Sequence, residues 1–163
     1  MHPRTTAFVF ALAIVAFVVV ASTSFASSNR ERVATTAKNA ALGKTIVVTL
    51  NGRTLYSLSA ERHGKFICTD TGCLSFWKPL VVRAGVTPTG VSGLTVVRRP
   101  DGRRQVAFRG GPLYTFAEDH KRGDAKGEGF KDVGVWHAAA IATSASTPAP
   151  PPTTTSGGGG YGY

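Results

Sequence analysis

The chain has 163 residues, 42 % hydrophobic and 17 % charged, with 19 Lys and Arg against 9 Asp and Glu and a formal charge of +10. Two cysteines make only half a tetrahedral zinc site, and no His-x-x-x-His partner accompanies them, which excludes a zinc-finger type of protein. The basic balance invites a polyanion as partner, but the arginines carry no interleaved stacking aromatics, which argues against nucleic acid.

In chain order, residues 1–26 read as a signal peptide. Arg4 supplies the positive start, Ala7 to Val20 (AFVFALAIVAFVVV) is unbroken apolar sequence, and Ser24-Phe25-Ala26 offers small residues for cleavage. The run is shorter than the roughly 20 residues that span a bilayer comfortably, so no stable transmembrane span is expected after cleavage, an uncleaved anchor being the alternative. No cysteine lies near the cleavage point, so the expected location is secreted, periplasmic or cell envelope, without lipidation. Residues 27–39 read as a linker and 40–142 as one small domain. From Thr143 to Tyr163 the composition is Ser, Thr, Pro, Ala and Gly with a Tyr-Gly-Tyr end. Such a tail buries too little to offset its backbone entropy, and it is expected to be disordered.

Within the domain, Lys44 to Leu50 is rich in β-branched residues, Asn51-Gly52 is a strong hairpin signal, and Thr54 to Leu58 is the return strand. Ser59 to Gly72 reads as loop. Cys73 to Trp77 fits one helical turn, stopped by Lys78-Pro79. Leu80 to Arg83 is a short strand. Leu94 to Arg99 and Gln105 to Phe108 form a second hairpin around Pro100-Asp101-Gly102. Arg98, Arg99, Arg103 and Arg104 flank that turn and read as charges on exposed strand edges. Gly110-Gly111-Pro112 turns into Leu113 to Phe116, a glycine-rich loop follows, and Val135 to Ala139 closes the domain. No helical period is sustained, so the fold class is all-β, mainly antiparallel.

The chain also repeats itself. Gly52-Arg53-Thr54-Leu55-Tyr56-Ser57-Leu58-Ser59-Ala60-Glu61 lies over Gly110-Gly111-Pro112-Leu113-Tyr114-Thr115-Phe116-Ala117-Glu118-Asp119. Each copy later reaches a tryptophan, Trp77 or Trp136. Two pseudo-symmetric, hairpin-based repeats, about 44–84 and 94–142, are expected to share one core, because neither is large enough alone. Cys68 and Cys73, with four residues between them, read as a disulfide in an exported chain, contributing about 2–3 kcal/mol.

The pattern resembles the bacterial secreted repeat of unknown function, found in tandem in predicted lipoproteins and marked by Tyr, any residue, an aromatic, two residues and Asp. Tyr114, Phe116 and Asp119 match the mark; Tyr56, Leu58 and Glu61 are a relaxed copy. Cys68…Cys73 before Phe76-Trp77-Lys78-Pro79-Leu80, and Gly123-Asp124…Gly127-Glu128-Gly129 before Val135-Trp136, extend the likeness over nearly the whole domain. It implies an exported two-repeat β module. The lipidated cysteine is absent here, so the family's membrane anchoring does not carry over.

Tyr114 and Phe116 share one strand face, Leu113 and Thr115 the other. Asp119 falls where the strand ends, so its carboxylate is expected to accept amides of the following turn, and Glu61 likewise. The competing readings use the same residues. Asp119, Asp124, Glu128 and Asp132 lie on a glycine-rich loop suited to a hard cation, but Lys121, Arg122, Lys126 and Lys131 are interleaved and the spacing is not that of an EF-hand. His63 and His120 hold near-equivalent places and, brought together, would suit a transition metal. His137 is the third histidine of the domain. Glu61 and Asp119 are the only carboxylate pair for a small hydrolase. No nucleophile elbow is present. The leading expectation is an exported, non-catalytic binding or scaffolding module of the envelope with no bound cofactor. An anionic wall or surface polymer is its first-choice partner. A metal or redox protein and a small hydrolase are the alternatives.

Overall fold

The computed structural model describes residues 29–62 and 64–142. The leader, His63 and the Ser/Thr/Pro/Gly tail lie outside the described residues.

The fold is mostly β, and it starts earlier than residue 40. Strand β1 (Asn29–Arg32) and strand β2 (Ala34–Asn39) occupy the stretch read as a linker. β2 pairs antiparallel along its whole length with β3 (Lys44–Thr49), and Ala34 is fully buried. The sequence ATTAKN hid this strand because only its two ends, Ala34 and Asn39, face inward. Backbone pairing, with little apolar content, holds it.

The turn after β3 forms at Asn51-Gly52, but not as a two-residue turn with both residues at positive φ. The Gly52 amide donates to Thr49 O and the Thr49 amide to Arg53 O, so Leu50, Asn51 and Gly52 make a three-residue loop with glycine alone at positive φ, +84°. Gly102 has the same place in Pro100-Asp101-Gly102, its amide donating to Arg99 O and the Arg99 amide to Arg103 O. The tight two-residue turn with both residues at positive φ lies instead at Arg109 (+48°) and Gly110 (+82°).

Next come β4 (Tyr56–Leu58) and the short helix α1 (Thr71–Phe76), whose first turn is capped by the Asp70 carboxylate accepting the Cys73 amide at 3.0 Å. The helix ends directly in β5 (Trp77–Pro79), a strand that the proline had masked; β6 (Val81–Val82) and β7 (Val86–Thr89) follow. β7 takes β1 as a parallel neighbour. The second hairpin is present as read: β8 (Leu94–Arg98) and β9 (Arg104–Phe108) pair with Val96 opposite Val106. β10 (Gly111–Pro112), β11 (Tyr114–Phe116) and β12 (Trp136–Ala138) complete the order.

The sheet that matters for the site runs β12-β4-β11-β5. The two motif strands lie side by side in its centre, antiparallel, with Tyr114 opposite Tyr56. The tryptophan strands lie outside them and are exchanged. Trp77 of the first copy sits opposite Phe116 of the second, and Trp136 of the second opposite Leu58 of the first. The two copies differ in their loops. The first carries α1 and the disulfide, the second a glycine-rich loop without a helix.

Period-two alternation divides the core in two. Ile46, Val48, Tyr56, Leu58, Tyr114 and Phe116 face one cluster with Trp77 and Trp136. Val47, Leu55, Leu113 and Ala139 face the other with Val106 and Phe108. Alternate residues of one segment thus fill opposite cores. The two indoles stack at 3.7 Å between centroids and 7° between planes, and Phe116 stacks on Trp77 at 4.4 Å.

Candidate functional site

The motif residues assemble into a buried, crossed clamp. Three residues after each motif strand the chain turns back: the Glu61 amide donates to Leu58 O at 3.0 Å and the Asp119 amide to Phe116 O at 3.3 Å. Each turn points its carboxylate inward. Glu61 Oε1 accepts the amides of Ile67 and Cys68, both at 2.7 Å, and Asp119 Oδ1 accepts the Lys126 amide at 3.0 Å. This is the corner-tying role expected of both acids.

The tyrosine rings lie in the core, and their hydroxyls reach the acids. Tyr56 donates to Asp119 Oδ2 at 2.7 Å and Tyr114 donates to Glu61 Oε2 at 2.8 Å. Each tyrosine therefore fastens the acid of the other copy. All four residues are buried. Burial, and then the facing carboxylate, pushes both phenol pKa values well up, and burial also raises the Asp119 carboxyl above its ordinary value.

On the Glu61 side of the clamp a buried cation, Arg99, lies against the Tyr114 hydroxyl. The expectation that Arg99 is an exposed edge charge is overturned: it is 2 % exposed. Its guanidinium donates to Tyr114 Oη at 3.0 Å, Gln105 Oε1 at 2.6 Å and Cys68 O at 2.8 Å, and it lies over the Phe66 ring at 5.0 Å. On the other side Arg53 reaches Phe116 O at 2.7 Å. The Cys68–Cys73 disulfide forms as expected, and it closes the loop whose amides Glu61 holds.

The acidic loop is fastened in the same way. Asp124 Oδ2 accepts the amides of His120 and Lys121, Glu128 accepts the Ala138 amide at 2.7 Å and lies 3.1 Å from His137 Nδ1, and Asp132 accepts Trp136 Nε1 at 3.1 Å. The amides of Lys121 and His120 lower the Asp124 carboxyl pKa. Gly127 lets this loop lie against the core, since a Cβ there would come 2.7 Å from the Trp77 ring. No three His, Cys, Asp or Glu side chains converge among the described residues. His120 is exposed, 3.8 Å from Glu118. The Glu61–Asp119 pair has its carboxylates sealed from solvent, 0 % and 1 % exposed, so it offers no face to a substrate.

The surface of the described residues is hollowed at several places, three of which lie close to these elements. A hollow of about 670 Å³ lies between β2, the start of β3 and Ala140, with Lys38 and Lys44 in its wall. A second, of about 290 Å³, includes Thr36 and Arg122. The third is a groove of about 340 Å³ beside the disulfide, walled by Phe76, Trp77, Phe130 and Val133, with Asp70 and Asp132 in its lining. Sequence reasoning passed over Phe76 and Phe130. Phe76 falls in the helical turn and Phe130 in the glycine-rich loop, and only the fold brings them together. The one signal is Phe130, a large apolar residue in the otherwise polar run Gly127-Glu128-Gly129-Phe130-Lys131-Asp132.

Residues 95–140 match the model of a family described as a secreted repeat of unknown function, the family that the motifs resemble. The matched segment holds Tyr114 and Asp119, while their partners Glu61 and Tyr56 lie outside it. Neither a curated protein nor a solved structure matches the chain. Among the described residues no helix is long and apolar enough to cross a membrane. The description of the matched family fits an extracellular or envelope location.

Proposed function

We propose that this protein is an exported, non-catalytic binding module of the cell envelope, not lipidated, that associates with an anionic wall or surface polymer through its basic surface. The observation that supports this reading is the unequal burial of charge. Fifteen of the eighteen lysines and arginines between residues 29 and 142 are exposed, against five of the nine acids. Folding draws Glu61 and Asp119 inside and partly covers Asp124 and Glu128, so the surface is more one-sided than the composition. A surface of that kind raises the local concentration of polyanions and speeds encounter with them.

The test is retention of the full chain on immobilised teichoic acid beside neutral dextran, at increasing salt. Retention on the anionic matrix alone, falling steeply over one Debye-length change of roughly 10 to 3 Å, is the expected outcome. Equal behaviour on both matrices, or retention indifferent to salt, overturns the reading.

A further inference from the structure

The groove beside the disulfide carries a different preference from the rest of the surface. Five large apolar residues are exposed among the described residues: Leu50, Phe76, Val81, Phe130 and Val133. Three of them wall this one groove. Its lining contains two acids and no base, on a protein of net charge +10. The pairing of the exposed acids sharpens the contrast. Glu31 has Arg83, Asp101 has Arg103 and Arg99, and Glu118 has His120 within ion-pair distance. The two exposed acids with no such partner among the described residues are Asp70 and Asp132, and both belong to the groove.

We infer that this groove docks an extended peptide segment of a partner protein, one that sets a lysine or arginine beside an aromatic or aliphatic residue. The apolar walls take the apolar side chain, and the unpaired carboxylates at Asp70 and Asp132 take the cation. A volume of about 340 Å³ holds roughly two side chains, at the lower end of ligand sites. The acids repel an anionic polymer or an anionic lipid headgroup, so the site is separate from the proposed polymer surface. Both acids also have local duties that fix them in place. Asp70 caps α1 and Asp132 holds the Trp136 indole N–H, so the charges are presented on a preorganised frame.

The experiment is amide chemical-shift titration of the full chain with the capped dipeptide acetyl-Phe-Arg-amide, beside acetyl-Phe-Gln-amide and benzyltrimethylammonium. The expected result is saturable shifts at residues 70–76 and 130–133 with millimolar affinity, and binding about tenfold weaker for the glutamine peptide, as two exposed ion pairs allow. The Asp70→Asn/Asp132→Asn double variant keeps an oxygen for the cap and for the indole. It is expected to unfold at the same denaturant concentration as the parent and to bind both peptides equally weakly. Equal affinity of the unaltered chain for the two peptides, shifts centred on Lys38 and Lys44, or no shift at about 10 mM overturns the inference. Tighter binding of benzyltrimethylammonium than of the arginine peptide overturns the assignment of a peptide.

Discussion

The hydroxyl of Tyr56 donates to the carboxylate of Asp119 across 63 residues of chain, at 2.7 Å, and both ends of that bond are buried. The reciprocal bond from Tyr114 to Glu61 makes the two motifs halves of one clamp.

Removing one hydroxyl leaves a buried carboxylate short of a donor. Tyr56→Phe is expected to lower stability by about 1.5–3 kcal/mol, the range for a bond to a charged group. Tyr114→Phe is expected to cost at least as much, since Arg99 loses an acceptor too. Urea denaturation measures both. A cycle with Asp119→Ala should show coupling with Tyr56→Phe and near-additivity with Tyr114→Phe.

Alkaline pH should unfold the protein through these same phenols. Their pKa values are raised in the folded state above the ordinary 10.0. Between the unfolded and folded values the native chain holds more protons than the unfolded one. Their contribution is therefore fully present below about pH 10 and is lost as the pH rises above it. Absorbance at 295 nm should report Tyr56 and Tyr114 ionising together with the loss of far-ultraviolet circular dichroism. Ionisation of both while the sheet signal is intact would contradict the clamp.

Two neighbouring arginines should behave in opposite ways. Arg99→Met removes the cation beside the Glu61–Tyr114 pair and strands three acceptors, with an expected cost of about 3 kcal/mol or more. Arg98 is exposed, and Arg98→Ala should change stability by no more than about 0.5 kcal/mol. Thermal unfolding of the two variants side by side separates them.

Arg109 occupies the left-handed region, at φ +48°, in a turn that favours Asn or Gly. Its amide donates to Gly93 O, a bond that asparagine retains. Arg109→Asn is expected to raise stability by about 0.5–1 kcal/mol, read as a higher denaturation midpoint.

What the sequence discloses and what it conceals divide along physical lines. The β8–β9 hairpin, the motif faces and the acid corners follow from local chemistry: β-branched alternation, turn residues, and a carboxylate placed to reach nearby amides. The Cys68–Cys73 bridge follows from export and spacing. Arg99 is not legible that way, because RRPDGRR looks the same whether a given arginine faces water or Glu61's partner. β2 is hidden because its stability comes from pairing with β3, which leaves few apolar residues to signal it. The groove is hidden for a third reason. Phe76, Phe130 and Val133 acquire meaning only when α1 and the second copy's loop come to lie beside each other.

The exchange of partners extends from the hydroxyls to the strands, since Trp77 lies along Phe116 and Trp136 along Leu58. One copy by itself would have a carboxylate without its phenol and an indole without its neighbour. Half of this fold is thus no smaller version of it. Units built this way count in pairs, and a duplication or deletion that changed their number by one would leave an odd member with nothing to close upon.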